Sequence, residues 1–168
     1  LDGSRRIGDA LGTRLADRLG GRALRARPGG RVRGLFAGGA PAPPAPFRCF
    51  ASLGIPLVEL HGMSETAGMI SSNLLAGPRR EGCAGRITAD HEVHFGADGE
   101  LQVRGPLLLS GFLEPEDGAE VWTADGYFRT GDLGRVDDEG FLYIEGRCKS
   151  LIMLSTGKKL SPEPIELA

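Results

Sequence analysis

IPLVELHGMSET, residues 55 to 66, runs from an apolar stretch into a glycine and then a hydroxyl, a carboxylate and a second hydroxyl. Residues 55 to 60 read as a short buried strand. Upstream, VRGLFAGG (32 to 39) reads as another short strand ending in glycines, and PPAPFRCFASLG (43 to 54) suits a helix with proline near its start and glycine after its end. Strand, helix and strand within so short a span predict a βαβ unit with parallel strands. In open α/β sheets ligands bind beyond the carboxyl ends of the strands. Those ends carry AGGAP (37 to 41) and HGMSET (61 to 66), so the pattern places the two close together.

Further upstream, Ile7, Leu11, Leu15 and Leu19 recur at helical spacing before Gly20 and Gly21. Downstream of Pro78 the pattern changes. HEVHF (91 to 95), GELQVRG (99 to 105), YFRTGDLG (127 to 134) and GFLYIEG (140 to 146) alternate in polarity and are separated by GADG, TADG and DDEG turns. Residues 82 to 146 are therefore expected to form a small antiparallel β region. CKSLIML (148 to 154) is a further candidate strand, and a helix could open at Ser161-Pro162 with Glu163 in its first turn. The fold class expected is α/β followed by this antiparallel region.

The chain has 168 residues, 20 Lys and Arg against 22 Asp and Glu, and a net charge of −2, which gives no electrostatic footprint for nucleic acid. No apolar run reaches membrane-spanning length. Cys49, Cys83 and Cys148 are far apart with no C-x-x-C or zinc spacing, which fits free thiols in a reducing cytoplasm. His91 and His94 fall on opposite faces of a strand and do not suggest a shared metal site. TGKK (156 to 159) has Ile152 where a phosphate-cradling loop of the Walker type needs glycine, and there is no G-x-S-x-G elbow.

Each remaining motif has a plain reading and a chemical one. Gly38 and Gly39 make an ordinary turn, or let backbone approach a flat ring. Ser64 and Glu65 suit a helix N-terminus, or a site in which Glu65 gives Mg²⁺ one hard oxygen and Thr66 meets a phosphate. Asp132 is a turn aspartate, or an acceptor for two vicinal hydroxyls. Arg147 and Lys149 lie on one face of a strand, solvated or facing an anion.

In order and spacing, GGAP, HGMSET, YFRTGDLG, GFLYIEGRCK and STGKKLSPEPIE resemble successive motifs of the adenylate-forming enzymes, which include acyl-CoA synthetases, luciferases and the adenylation domains of peptide synthetases. The resemblance runs from about Gly34 to the end of the chain. It implies a two-step reaction: a carboxylate attacks the α-phosphate of ATP and releases pyrophosphate, and the thiol of coenzyme A then takes the acyl group. It implies that Gly38, Gly39, Ala40 and Pro41 line the adenine, that His61 lies against the ring, and that Gly62, Met63 and Ser64 continue that wall. It implies that Glu65 holds Mg²⁺ and Thr66 meets the α-phosphate, these two being the catalytic pair. Asp132 would bind the ribose hydroxyls with Arg147 beside it, Lys149 would reach ribose or phosphate, and Ser150 would be the hinge between a large and a small domain.

On that basis residues 1–147 are part of the large AMP-binding domain, with an α/β portion at 1–78 and a β-rich portion at 82–146, and residues 148–168 are the hinge and the start of the small domain. GKKLSPEPIE is most similar to long-chain fatty acyl-CoA synthetases. A fatty acyl-AMP ligase, a carrier-protein-loading domain and a non-catalytic nucleotide-binding remnant stay open as alternatives. The expected partners are a fatty acid, ATP and coenzyme A, without nucleic acid. The expected location is cytoplasmic, with membrane contact through parts outside these residues left open, as is the oligomeric state. Three features depart from the family pattern: His61 stands where tyrosine is usual, Ser150 at the hinge is unusual, and STG (155 to 157) replaces a double glycine. The family's upstream phosphate loop and late catalytic lysine are absent from these residues. The chain is therefore expected to be part of a longer enzyme.

Overall fold

The structure is a computed structural model that describes residues 21–40, 42–114, 120–153, 159–160, 162 and 165. The helix expected over residues 7 to 19 and the one opening at Ser161 lie outside the described residues, as does Pro41.

The chain divides into two compact units, one of residues 1–37 and 43–58 and one of residues 38–42 and 59–168. In the first, a short helix α1 (Arg22–Ala26) precedes strand β1 (Leu35–Ala37) and helix α2 (Pro44–Ser52). Proline at the start of α2 has its φ already set for helix, and Pro43 before it is extended. Leu53 N returns to the carbonyls of Cys49 and Phe50, and Gly54 N to Ala51, which closes the helix before β2 (Leu57–Met63) begins. Leu35 N donates to Pro56 O, and Arg25 reaches from α1 to the Leu53 carbonyl at 2.7 Å. Helix α1 lies in the basic, glycine-containing stretch RALRARPGGRVRG (22 to 34), where no long apolar periodicity announces it.

The second unit is an antiparallel sheet in the order β2-β3-β4-β8-β7-β6-β5. Its strands are the end of β2, then β3 (Gly68–Ser72), β4 (Gly85–Ile87), β5 (Glu92–Phe95), β6 (Glu100–Arg104), β7 (Phe128–Val136) and β8 (Phe141–Arg147). The hairpins β5–β6 and β7–β8 turn at GADG and DDEG, where alternating polarity and turn residues predict them. Apolar side chains from several strands meet in one cluster of Ile70, Ala84, Leu101, Val103, Phe128 and Leu142, with Trp122 edge-on to Phe128. Burying these is the main stabilising contribution to the unit.

The segment expected as one strand over 148 to 154 is different. A single 3₁₀ turn (Cys148–Ser150) follows β8, and among the described residues of that segment strand pairing is confined to β9 (Ile152–Met153), which pairs with β10 (Lys159–Leu160). Lys149 thus sits on a turn, so the alternation that would align it with Arg147 does not apply.

Polar side chains hold the loops. The Asp137 carboxylate accepts the Phe141 and Glu139 backbone N–H groups and pairs with Arg80, and these hold it below the usual carboxylate range. Arg80 also pairs with Glu139 and lies over the Phe141 ring, joining the 78–81 segment to the β7–β8 turn.

Glu59 shows the opposite shift. Burial, and next the charge of Glu81, push its carboxyl above the ordinary value of 4.5. A raised carboxyl favours the folded state while protonated, and that contribution is lost as pH rises from 4.5 through the raised value. Glu59→Gln removes the dependence. The Gln variant is expected to gain stability relative to the parent as pH rises above 4.5, as read by urea unfolding.

Candidate functional site

The run HGMSET does not open a long helix. Residues 64 to 66 form one 3₁₀ turn that links β2 to β3 as an antiparallel hairpin. The pairing slips between His61↔Ser71 and Gly62↔Met69, leaving Ile70 as an extra residue on β3. A Cβ on Gly62 would lie 1.6 Å from the Gly68 carbonyl oxygen, so glycine there lets the two strands close on each other. This is a requirement of the hairpin, whatever the glycine does toward a ligand.

Thr66 is fully buried. Its hydroxyl lies 3.0 Å from both the Met63 and Gly68 carbonyl oxygens and accepts from Met63 N at 3.3 Å. In this arrangement the hydroxyl braces the turn. Thr66→Val is expected to cost about 1–3 kcal/mol, measured by urea unfolding. Ala67 follows in the left-handed region at φ 52, where a non-glycine residue is uncommon and strained. Ser64 is exposed, and Glu65 is half-buried. The Glu65 carbonyl accepts the Leu109 N–H at 2.8 Å, so the 105–110 loop fixes the turn from outside the motif.

Gly38, Gly39 and Ala40 belong to the same unit as this hairpin. A Cβ on Gly38 would meet the Leu60 side chain at 2.5 Å, whereas one on Gly39, at φ +84, would meet open space.

The centre of the site is Asp132 on β7, 2% exposed. Arg147 Nε, at the paired position on β8, lies 2.9 Å from Asp132 Oδ1. His61 Nε2, from β2, lies 3.2 Å from Oδ2. That separation suits an ion pair, yet the two atoms are not aligned for a hydrogen bond, and both are buried without a hydrogen-bond partner. A buried carboxylate oxygen in that condition is costly in a protein that gives it nothing to accept. The structure therefore brings three of the residues named from sequence, His61, Asp132 and Arg147, to one point. It places His61 against the aspartate. The arrangement is chemically suited to accept hydroxyl hydrogens once the imidazole, 17% exposed, swings aside.

Asp132 keeps its place through backbone irregularity. Glu100 pairs with Leu133 and Gln102 with Arg129, so β7 carries more residues than β6 across that interval. The ladder cannot satisfy the surplus backbone groups, and side chains do so instead. Thr130 Oγ1 donates to Leu101 O at 2.7 Å and accepts from Asp132 N at 3.1 Å. Gly131 takes φ +73, and its N–H donates to Glu100 Oε1 at 3.1 Å. Sequence reasoning missed Glu100 and Thr130. By alternation Glu100 shares the polar phase of GELQVRG with Gln102 and Arg104, so nothing in that stretch announced its burial.

Lys149 is exposed and Ser150 half-buried on the turn after β8. Burial, joined by Glu100, Asp98 and Asp132, pushes the Cys148 thiol up, so it is a poor nucleophile. Among the described residues no three His, Cys, Asp or Glu side chains gather as a metal site.

No family model matches the chain. Over 150 residues, 89% of the chain, it is 37% identical to the long-chain-fatty-acid–CoA ligase FadD15 of Mycobacterium bovis, covering 25% of that protein. It is 36% identical to the 2-succinylbenzoate–CoA ligase of Listeria monocytogenes over 80% of the chain and 29% of that protein. Among solved structures, O-succinylbenzoate coenzyme A synthetase of Bacillus subtilis, in complex with ATP and magnesium ion, superposes with a TM-score of 0.69 at 31% identity, over 80% of this chain and 30% of that one. ATP-bound MatB of Rhodopseudomonas palustris gives 0.69 and 31%, over 78% and 28%. The chain spans roughly a quarter of the length of the curated fatty-acid–CoA ligases it matches. It belongs to the adenylate-forming superfamily of acid-activating enzymes, and covers part of the length of its members.

Proposed function

We propose that this chain carries the nucleotide-holding part of an acid–CoA ligase. In the first step a carboxylate oxygen bonds to the α-phosphorus of ATP, pyrophosphate leaves, and an acyl-adenylate results. In the second, the sulfur of coenzyme A bonds to the acyl carbon, AMP leaves, and the thiol proton is released. The observation that carries the reading is Asp132: a buried carboxylate with one oxygen unsatisfied and a cation at the other. Such an acceptor suits the vicinal hydroxyls of a ribose.

The chain's residues would then divide the work of positioning and charge neutralisation. Asp132 anchors the ribose. Arg147 orients the aspartate through the pairing at Oδ1. Gly39, open above its Cα, and Ala40 flank the base, with Pro41 beside them. His61 leaves Asp132 to lie on the base, continued by Gly62, Met63 and Ser64. Glu65 would hold magnesium, which supplies positive charge to the phosphate oxygens. Thr66 sets the turn so that the backbone from Ser64 to Thr66 faces the α-phosphate. Lys149, exposed on its turn, reaches ribose or phosphate, and Ser150 is the hinge between residues 1–147 and the small domain begun at 148.

A long-chain fatty acid is the proposed substrate, supported by the name of the FadD15 relative. The succinylbenzoate ligases among the relatives make a different acid the competing reading. Calorimetric titration of the chain with AMP, and with ATP in magnesium, tests the nucleotide role. Saturable binding below about 1 mM supports it, and no heat of binding to either nucleotide at that concentration overturns it.

A further inference from the structure

Glu100 is a buried carboxylate that the ligase chemistry leaves without a role. It is 6% exposed, on β6, and it contacts no part of the proposed ligand path directly. Both of its oxygens are engaged on the neighbouring strand. Oε1 accepts the Gly131 N–H at 3.1 Å, and Oε2 meets Arg129 Nε at 2.8 Å. Gly131 immediately precedes Asp132, and Arg129 is three residues before it. The carboxylate therefore grips β7 at two points within the interval where β7 outruns its partner strand. An apolar residue at 100 would leave the Gly131 N–H unmet beside a left-handed backbone position, and the bulge would have no reason to keep its shape.

The expense of this device is notable. Glu100 and Asp132 are both nearly buried, and one residue links them: Gly131 gives its N–H to Glu100 and is followed in the chain by Asp132. A fold needing only stability would fill such a place with an apolar side chain. Arg129 and Arg147 offset the two charges from opposite neighbours, one pairing with Glu100 and the other with Asp132.

We propose that Glu100 is a positioning residue for Asp132: it fixes the 129–132 bulge so that Asp132 Oδ2 stays presented to a vicinal diol. This rests on the reading of Asp132 as the ribose anchor. It assigns Glu100 no contact with the nucleotide.

The test compares the affinity of the 168-residue chain for AMP with that for the dideoxyribose analogue of AMP, which lacks both ribose hydroxyls. The parent is expected to prefer AMP by about tenfold or more, and Asp132→Asn to erase that preference. Glu100→Ala is expected to reduce the preference to about twofold while affinity for the dideoxy analogue stays within about twofold of the parent. A residue needed only for general stability would lower both affinities together. Glu100→Gln keeps an acceptor for the Gly131 N–H and is expected to lie between parent and alanine. If the alanine variant does not fold, the glutamine variant decides: a severalfold smaller preference supports the proposal and an unchanged one overturns it. A parent that binds both ligands equally, or neither, defeats the ribose reading and this proposal with it. A parent that discriminates, an Asp132→Asn variant that does not, and a folded Glu100→Ala variant that still does, would overturn the Glu100 role alone.

Discussion

Asp132→Asn is expected to weaken AMP binding by about 10- to 100-fold while leaving the chain folded. A hydrogen bond to a charged acceptor contributes about 1.5–3 kcal/mol, and each 1.4 kcal/mol is about a factor of ten in affinity. Asparagine keeps one oxygen for Arg147 and presents an amide N–H₂ where Oδ2 stood. A ribose hydroxyl then faces a donor in place of an ionised acceptor. The change in stability is expected to be smaller than the change in affinity. Arg147 is 61% exposed, so its side of the pair is screened by water. His61 Nε2 makes no aligned hydrogen bond to the aspartate that could be lost. Calorimetry with AMP and a thermal melt of the same preparation separate the two effects. AMP affinity within about twofold of the parent would mean that Asp132 does not receive the ribose hydroxyls.

Gly62→Ala is expected to have the largest effect on folding. The added methyl would sit 1.6 Å from the Gly68 carbonyl oxygen, 2.6 Å from its carbon and 2.8 Å from Met69 Cα. All three are backbone atoms of the paired strand, so no rotamer change relieves the clash. The hairpin must open at its bulge, which also displaces His61 on one side and Thr66 on the other. Overpacking of well-packed positions costs about 1–3 kcal/mol, and here about 3 kcal/mol or more is expected because backbone has to move. Gly39→Ala is the control. Its Cβ would meet no atom within 4 Å, and at φ +84 the cost is local backbone strain alone, about 1 kcal/mol. Urea unfolding of the two variants should rank them in that order. A Gly62→Ala chain as stable as the Gly39→Ala chain would contradict the hairpin geometry.

The contrast between these glycines shows what could be read before the structure and what could not. HGMSET stood out as a candidate site, but its glycine admits two reasons, close approach of a ligand or close approach of another strand. Only the pairing with Gly68 and Met69 reveals the second. The sequence Gly68–Ser72, rich in glycine and serine, has no alternation that announces a strand. It becomes one because β2 and β4 flank it and Ile70 is drawn into the core. Ser64, Glu65 and Thr66 imitate a helix start because the same side chains that cap helices also stabilise isolated turns. The β5–β6 and β7–β8 hairpins were legible because turn residues and alternating polarity act locally.

The site follows the same division. Asp132 and Arg147 stood out by residue type, whereas His61 was named only through the motif order that resembles one family. That His61 would meet Asp132 depended on strands distant in sequence coming together. Glu100 carried no signature because its role depends on a mismatch of strand lengths, which no single strand displays. The Leu109 N–H bond to the Glu65 carbonyl is a backbone contact and leaves no trace in side-chain chemistry.

The most direct measurement is a crystal structure of the chain grown with AMP. The expected result is a ribose with both hydroxyls in hydrogen-bonding reach of the Asp132 carboxylate, Arg147 still on Oδ1, and the His61 ring turned from the aspartate onto the base. Nucleotide bound elsewhere on the chain, with His61 still closed over Asp132, would contradict the assignment of this carboxylate as the nucleotide anchor.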